Sequence, residues 1–154
     1  MIYSIATIPS NINFTLDKLY IISENDTIGE RIRKLRKMQN LTSKELGKKV
    51  SLTASGIINY ENNMVYPPRK IILKLYKILG EDLLCDDYSR FIVKDYRSIL
   101  ENWRLKNNLT KRETAKRLNI SENFYSELIK GKYELTHSLF LKIESKLKDM
   151  KLTT

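Results

Sequence analysis

Two stretches of the chain repeat each other at a distance of 68 residues. Residues Ile28–Leu79 align without a gap with Tyr96–Leu147, and nine of the 52 aligned pairs are identical. Apolar residues also coincide, for example in the pairs Ile32/Leu100 and Leu75/Ile143. A sequence period of this length, present only twice, predicts two copies of one small domain rather than a solenoid.

Helix-start and helix-stop signals divide each copy into four helices. Thr27 with Glu30 and Thr42 with Glu45 have the spacing of a capping box, and Thr53 can cap a third helix. Pro67-Pro68 precede the fourth helix, which Gly80 ends. The second copy repeats these signals, so the predicted fold class is all-α. The predicted division is an N-terminal arm of low order over 1–25, a domain over 26–81, a packed helical connector over 82–95 and a second domain over 96–150.

The charge of the chain favours a polyanionic partner. The net charge is +10, of which the segment Ile28–Gly80 carries 12 Lys and Arg against 3 Glu, and Tyr96–Lys148 carries 12 against 6. A surface this basic is typical of proteins that bind nucleic acid or an anionic membrane surface, although it can also serve solubility alone. The first copy, at +9 against +6, is therefore the predicted site of polyanion binding.

Several function classes lack their characteristic residues. One cysteine, Cys85, excludes an intrachain disulfide and fits a reducing cytosol, and with the single His137 it cannot build a tetrahedral zinc site. No glycine-rich phosphate-binding loop and no apolar run of about 18 residues occurs, and the N-terminus is a poor signal peptide. We therefore expect no metal, no cofactor, no catalytic residues, no membrane partner and a cytoplasmic location.

Two short helices joined by a tight turn and supported by flanking helices form a helix-turn-helix arrangement. The segment LTSKELGKKVSLTASGIINYENN, residues 41–63, closely resembles the helix-turn-helix core of Cro/Xre-type (lambda-repressor-like) transcriptional regulators. Including flanking helices, the resemblance covers about Thr27–Gly80. It implies a lambda-repressor-like fold, double-stranded DNA as partner, and a recognition helix over Thr53–Asn62 that enters the major groove.

The resemblance also assigns roles to individual residues. The implied base-contacting residues are Ala54, Ser55, Gly56 and Asn59. The implied phosphate-contacting residues, which position the protein without reading sequence, are Ser43, Lys44, Thr53, Asn62, Asn63 and Arg69. Arg36 and Glu61 match an Arg–Glu pair that ties the first helix to the end of the recognition helix, and we call this pair the brace.

The second copy keeps the pattern but changes the predicted reading surface. Glu122, Asn123, Phe124 and Glu127 occupy the positions of Ala54, Ser55, Gly56 and Asn59, and Ile129 takes the place of Glu61 opposite Arg104. Three interpretations stay open: weak DNA binding, dimerisation or partner binding, and structural support. A second DNA surface would consist of Lys111, Arg112, Lys116, Asn123 and Lys130, whereas Phe124 and Tyr125 would form an aromatic surface suited to a protein partner.

The sequence thus predicts a DNA-binding transcriptional regulator, more specifically a repressor of the phage or mobile-element type. It would act as a homodimer or as a pseudo-dimer of its two copies. The alternative is an antitoxin-like or partner-binding protein whose second copy contacts another protein. RNA binding is less well supported, because most aromatic residues fall on predicted core positions.

Overall fold

The computed structural model describes residues 21–153, and all regular secondary structure in that range is helical. The first copy contains α1 (Ile28–Met38), α2 (Ser43–Val50), α3 (Ala54–Glu61) and α4 (Arg69–Leu79). The second contains α6 (Tyr96–Lys106), α7 (Lys111–Leu118), α8 (Glu122–Ile129) and α9 (His137–Asp149). The connector between them holds a short 3-10 helix, Glu81–Leu83, and α5 (Asp87–Ile92). The predicted fold class is confirmed.

The predicted capping signals form in both copies. Thr27 and Thr42 accept hydrogen bonds from the backbone N–H groups of Glu30 and Glu45, and both carboxylates reach back to the threonine N–H. Thr110 and Glu113 build the same box at the start of α7. In the two boxes at Glu45 and Glu113, the hydrogen bond from the threonine backbone lowers the pKa of the carboxyl. These local bonds explain why the helices begin where the sequence predicts.

Left-handed residues recur at the 68-residue spacing. Asn40 and Asn108 have φ of 54° and 52° after the first helix of each copy. Ser51 and Asn119, with φ of 65° and 57°, end the second helices. Asn63 and Gly131 lie two residues after the ends of α3 and α8, with φ of 55° and 81°. The repeat is therefore a repeat of turn geometry as well as of sequence.

Two apolar cores lie side by side and share α4. The first core contains Ile32, Leu46 and Ile57, all fully buried, together with Leu75 of α4. The neighbouring residue Ile72, also in α4 and fully buried, belongs instead to the second core, which is built mainly from α5 to α9. One helix thus contributes to both halves of the molecule.

The connector is packed and joins the halves by polar contacts as well. The ring of Tyr66, in the loop before α4, stacks on His137 with centroids 3.9 Å apart, and its hydroxyl donates to Asp86 at 2.8 Å. Arg69 Nε donates to the Ile92 carbonyl at 2.9 Å. Cys85 is half-buried beside the first core, and burial raises the pKa of its thiol to about 11, which suits a packing role.

The predicted arm over 1–25 falls mostly on residues 1–20, which lie outside the described residues. Of the remainder, Ile22 packs against the first core, and Lys34 donates to the Ile21 carbonyl at 2.9 Å. Among residues 21–153 there is no helix of the length and apolarity that crossing a membrane requires.

Candidate nucleic-acid interface

The helix α3 presents one narrow face to solvent. Ser55, Ile58 and Asn59 are exposed along it, whereas Ile57 and Glu61 point into the protein. Ala54 and Gly56 are half-buried near its start, where the Thr53 hydroxyl accepts from Gly56 N at 3.1 Å. Among the residues predicted to contact bases, Ser55 and Asn59 are thus the more accessible.

The close packing of α2 against α3 depends on Gly47. A Cβ atom at this position would lie 2.7 Å from the carbonyl oxygen of Leu52, in the turn between the two helices. Because that oxygen belongs to the backbone, it cannot move aside without moving the turn. Gly47 therefore lets the helix pair approach closely enough to hold α3 in place.

Most of the predicted phosphate-contacting residues surround this face. Lys44 and half-buried Ser43 lie at the N-terminus of α2, and Thr53 precedes α3. Exposed Asn62 and Asn63 follow α3; the Asn62 side-chain oxygen accepts from Arg33, and that of Asn63 accepts from Gly29 N at 3.3 Å. Ser43, Lys44 and Thr53 lie at helix starts, where backbone N–H groups are available to an anion. Asn62 and Asn63 lie after the end of α3, where their backbone N–H groups bind Ile58 and Tyr60, so only their side-chain amides could donate to an anion.

Arg69 is placed differently from the other predicted phosphate contacts. Besides its bond to Ile92, its guanidinium lies 5.4 Å from the centroid of the Tyr96 ring. It is half-buried and faces the connector. The structure thus brings Arg69 to the junction between the two halves rather than to the group around α3.

Arg36 and Glu61 form a buried, bidentate ion pair. Arg36 Nε and Nη2 donate to the two carboxylate oxygens of Glu61 at 2.5 and 2.9 Å, and both residues are under a tenth exposed. Arg36 Nη1 also donates to the Leu41 carbonyl at 2.7 Å, and Arg33 Nε lies 3.5 Å from Glu61. The pair links α1 to the last residue of α3, while its effect on DNA reading stays a prediction.

The second copy satisfies Arg104 by another route. Arg104 Nη1 donates to the Leu109 carbonyl at 2.9 Å, as Arg36 does to Leu41, but its other nitrogens bind Glu101 one turn earlier in α6. The bond from Arg104, followed by that from the Tyr125 hydroxyl, lowers the pKa of Glu101. Glu101 was not predicted, although its spacing of three residues from Arg104 is the signal of such a pair.

The exposed face of α8 is mixed in charge and partly aromatic. Lys130 and Lys132 lie 3.5 and 2.8 Å from the Glu127 carboxylate, and exposed Glu122 adds a second negative charge near the start of the helix. Half-buried Phe124 stacks on exposed Tyr133 with centroids 5.6 Å apart. The prediction of an exposed Tyr125 is wrong, because its ring fills the second core and its hydroxyl bonds to Glu101 at 2.8 Å.

The other residues of the predicted second DNA surface differ in how far they are exposed to solvent. Arg112, Lys116 and Asn123 are exposed, and Lys111 is half-buried as the first residue of α7. Arg112 and Lys116 line an open groove of about 360 Å³ that also includes Glu122. Basic side chains therefore flank α8, but carboxylates lie among them.

Comparison with protein families agrees with this geometry. A family model described as a helix-turn-helix domain matches residues 29–84, and a second, described as helix-turn-helix, matches residues 100–152. The chain is a tandem helix-turn-helix protein of the Cro/Xre type. The chain has no significant match to a curated protein or to a solved structure. Domains of this class belong to DNA-binding regulators, so DNA binding is the activity that both matches support.

The two helix-turn-helix domains also differ at the position three residues before the end of α3 and of α8. Ile58, which the sequence predictions omitted, is 43% exposed in α3, whereas Ser126 takes its place in α8. An apolar residue in the middle of a predicted helix is normally assigned to the core, and its neighbour Ile57 is indeed buried. Only the rotation of α3 shows which of the two isoleucines faces outwards.

Proposed function

We propose that the protein is a transcriptional repressor that binds a specific double-stranded DNA site through its first helix-turn-helix domain. The observation that carries this proposal is the face of α3. It presents Ser55 and Asn59 to solvent while the ion pair of Glu61 with Arg36 holds the other side of the helix. Asn can form two hydrogen bonds with the edge of adenine, and Ser can bond to several bases.

Ala54 and Gly56 complete the proposed reading surface. Both are small, so the start of α3 can approach the base pairs closely, and the Ala54 methyl group can contact thymine. We propose Ser43, Lys44, Thr53, Asn62 and Asn63 as phosphate contacts. Arg69 is left out of this set, because its guanidinium binds the connector carbonyl of Ile92.

The finer assignments are proposals of the same kind. A repressor of the phage or mobile-element type, and the domain limits 26–81, 82–95 and 96–150, follow from the Cro/Xre resemblance and the repeat. Occupancy of an operator needs no catalytic residue, and the protein is proposed to act without a cofactor. We propose that it binds as a homodimer, which light scattering of the full chain with and without DNA would test.

The second domain is proposed to contribute less to base reading. Lys130 and Lys132, which follow α8, both form ion pairs with the Glu127 carboxylate, and the hydrogen bond from Lys132 lowers the pKa of Glu127. The positive charge near α8 is therefore partly neutralised. Phe124 and Tyr133 offer an aromatic surface instead, which favours a protein partner at this domain as the second candidate function.

Binding-site selection from random duplexes at low salt tests the proposal. The full chain should enrich one motif, and Asn59→Ala should weaken binding to that motif by about 1–3 kcal/mol and relax preference at one position. Asn123→Ala is the matched control, because it removes the same type of side chain from an exposed position of α8, the one that aligns with Ser55. This variant should change the affinity less than twofold.

Three outcomes would contradict sequence-specific base reading by the first domain alone. Absence of any enriched motif would refute sequence-specific DNA binding. An equal loss in Asn59→Ala and Asn123→Ala would refute the assignment of base reading to the first domain. A bipartite motif, with one half lost in each variant, would make both domains readers.

A further inference from the structure

Ile58 is an apolar side chain within the proposed DNA-reading face. It is 43% exposed, follows Ser55 by three residues and precedes Asn59 by one, so the three side chains share one side of α3. Met64 and Val65, also exposed, follow the end of α3 and are not part of this helix, whereas Leu105 and Leu141 lie on α6 and α9. Ile58 therefore occupies a position at which a contact with DNA would cover it.

Isoleucine has properties that suit a contact with a base. Its branched Cβ restricts χ1 strongly in a helix, so the side chain loses little freedom when it is fixed against a surface. It has no hydrogen-bonding group and cannot compete with Ser55 or Asn59 for polar atoms. In a complex, Ile58 would contribute to binding through the removal of its apolar surface from water.

The major groove of DNA offers one apolar group on its base edges. That group is the C5 methyl of thymine, where cytosine carries only a hydrogen; the other groups that distinguish the bases there are hydrogen-bond donors or acceptors. A side chain between Ser55 and Asn59 that gains only by apolar contact can distinguish thymine from the other bases at one position. The thymine methyl group is therefore the part of the groove that an apolar Ile58 side chain is best suited to contact.

We propose that Ile58 recognises the C5 methyl group of a thymine beside the base pair that Asn59 contacts. This inference rests on the proposed function, because it requires α3 to lie in the major groove. It adds a specificity-determining residue to those implied by the family resemblance. The preferred site should accordingly contain a thymine whose methyl group affects affinity only while Ile58 is present.

Replacement of thymine by uracil removes this methyl group and leaves the hydrogen-bonding pattern of the base unchanged. Each thymine of the selected motif is replaced singly, and binding of the wild-type protein and of Ile58→Ala is measured at constant salt. At one position uracil should weaken wild-type binding about fourfold, the equivalent of about 0.8 kcal/mol for one methyl-sized group. Ile58→Ala should bind the thymine and uracil duplexes equally at that position.

Control variants separate this contact from other effects. Leu141→Ala removes another exposed apolar residue, 56% exposed on α9, and should retain the fourfold methyl effect. Ile58→Val keeps a branched Cβ and should retain most of it. Ile58→Ala should lower the unfolding temperature less than Ile57→Ala, since Ile58 is 43% exposed whereas Ile57 is fully buried.

The outcomes distinguish the inference from the proposed function. A selected motif in which Ile58→Ala and the wild type respond identically to uracil at every position would overturn the role of Ile58 and leave DNA reading by α3 intact. Absence of a motif would overturn the proposed function itself. A methyl effect that Ile58→Ala abolishes at one position alone would establish the contact.

Discussion

At the scale of single residues, the two copies show one arginine with two different carboxylate partners. Arg36 and Arg104 each donate to the carbonyl oxygen five residues later, so this bond is common to both copies. The remaining nitrogens bind Glu61, on another helix, or Glu101, on the same helix. The ion pair itself joins two helices only in the first copy; in the second, Glu101 is joined to α8 by the hydrogen bond from the Tyr125 hydroxyl.

Removal of each carboxylate should therefore have unequal consequences. Glu61→Gln leaves Arg36 buried without a full counter-charge and should lower the free energy of unfolding by about 3 kcal/mol. Glu101→Gln is the matched control; Arg104 and Glu101 are 16% and 22% exposed, and the loss should be about 1 kcal/mol. Urea titration of both variants measures the difference, and equal losses would show that the buried pair does not stabilise the α1–α3 contact more than the local one.

The sequence identified Arg36 and Glu61 but not the Glu101 pair. The first pair matched a family pattern. In the second copy Ile129 aligns with Glu61, so the same pattern gives no carboxylate partner for Arg104. Ile58 was missed for a different reason. Periodicity places a run of apolar residues on a helix, but the outer limit of the buried face depends on how the neighbouring helices are arranged.

At the scale of elements, the chain places left-handed residues at matching positions of both copies. Two of these residues end the second helices, where Ser51 and Asn119 have φ of 65° and 57°. Asparagine adopts this conformation readily, and glycine does so at no steric cost, whereas serine is less suited to it. The helix ends were predictable from capping boxes and prolines, but the strain at Ser51 was not, because it arises from the tight connection to α3.

Glycine at the end of α2 should stabilise the protein. Ser51→Gly relieves the left-handed strain and should raise the free energy of unfolding by about 0.5–1 kcal/mol, after the greater chain entropy of glycine is counted. Asn119→Gly, the equivalent change in the second copy, should give a smaller gain. Thermal unfolding measures both, and a loss in Ser51→Gly would mean that the bond from Lys74 to the Ser51 hydroxyl, at 3.1 Å, outweighs the strain.

At the scale of the whole molecule, the two copies are joined through α4 and the connector. Ile72 fills the second core while Leu75, one turn later, fills the first, and Tyr66 contacts both. The apolar spacing in α4 predicted that these residues are buried. It could not predict that they belong to different cores, because periodicity defines a face and not the element that covers it.

The shared helix should make unfolding cooperative across both copies. We expect one calorimetric transition for the wild type, with equal calorimetric and van't Hoff enthalpies. Tyr66→Ala removes the stack on His137 and the bond to Asp86 and should separate the transition into two. Tyr76→Ala, which affects a half-buried tyrosine that packs on the first core alone, should lower the transition temperature without dividing it. Two transitions in the wild type would contradict this coupling.

The packed connector also has a geometric consequence for DNA. A flexible linker would let two binding domains occupy sites at many separations, but domains fixed to one shared helix have a single span and a single relative rotation. If both domains contact one duplex, the two contacts must be separated by one defined number of base pairs. An insertion of about half a helical turn, roughly five base pairs, would move the second contact to the opposite side of the double helix and out of reach.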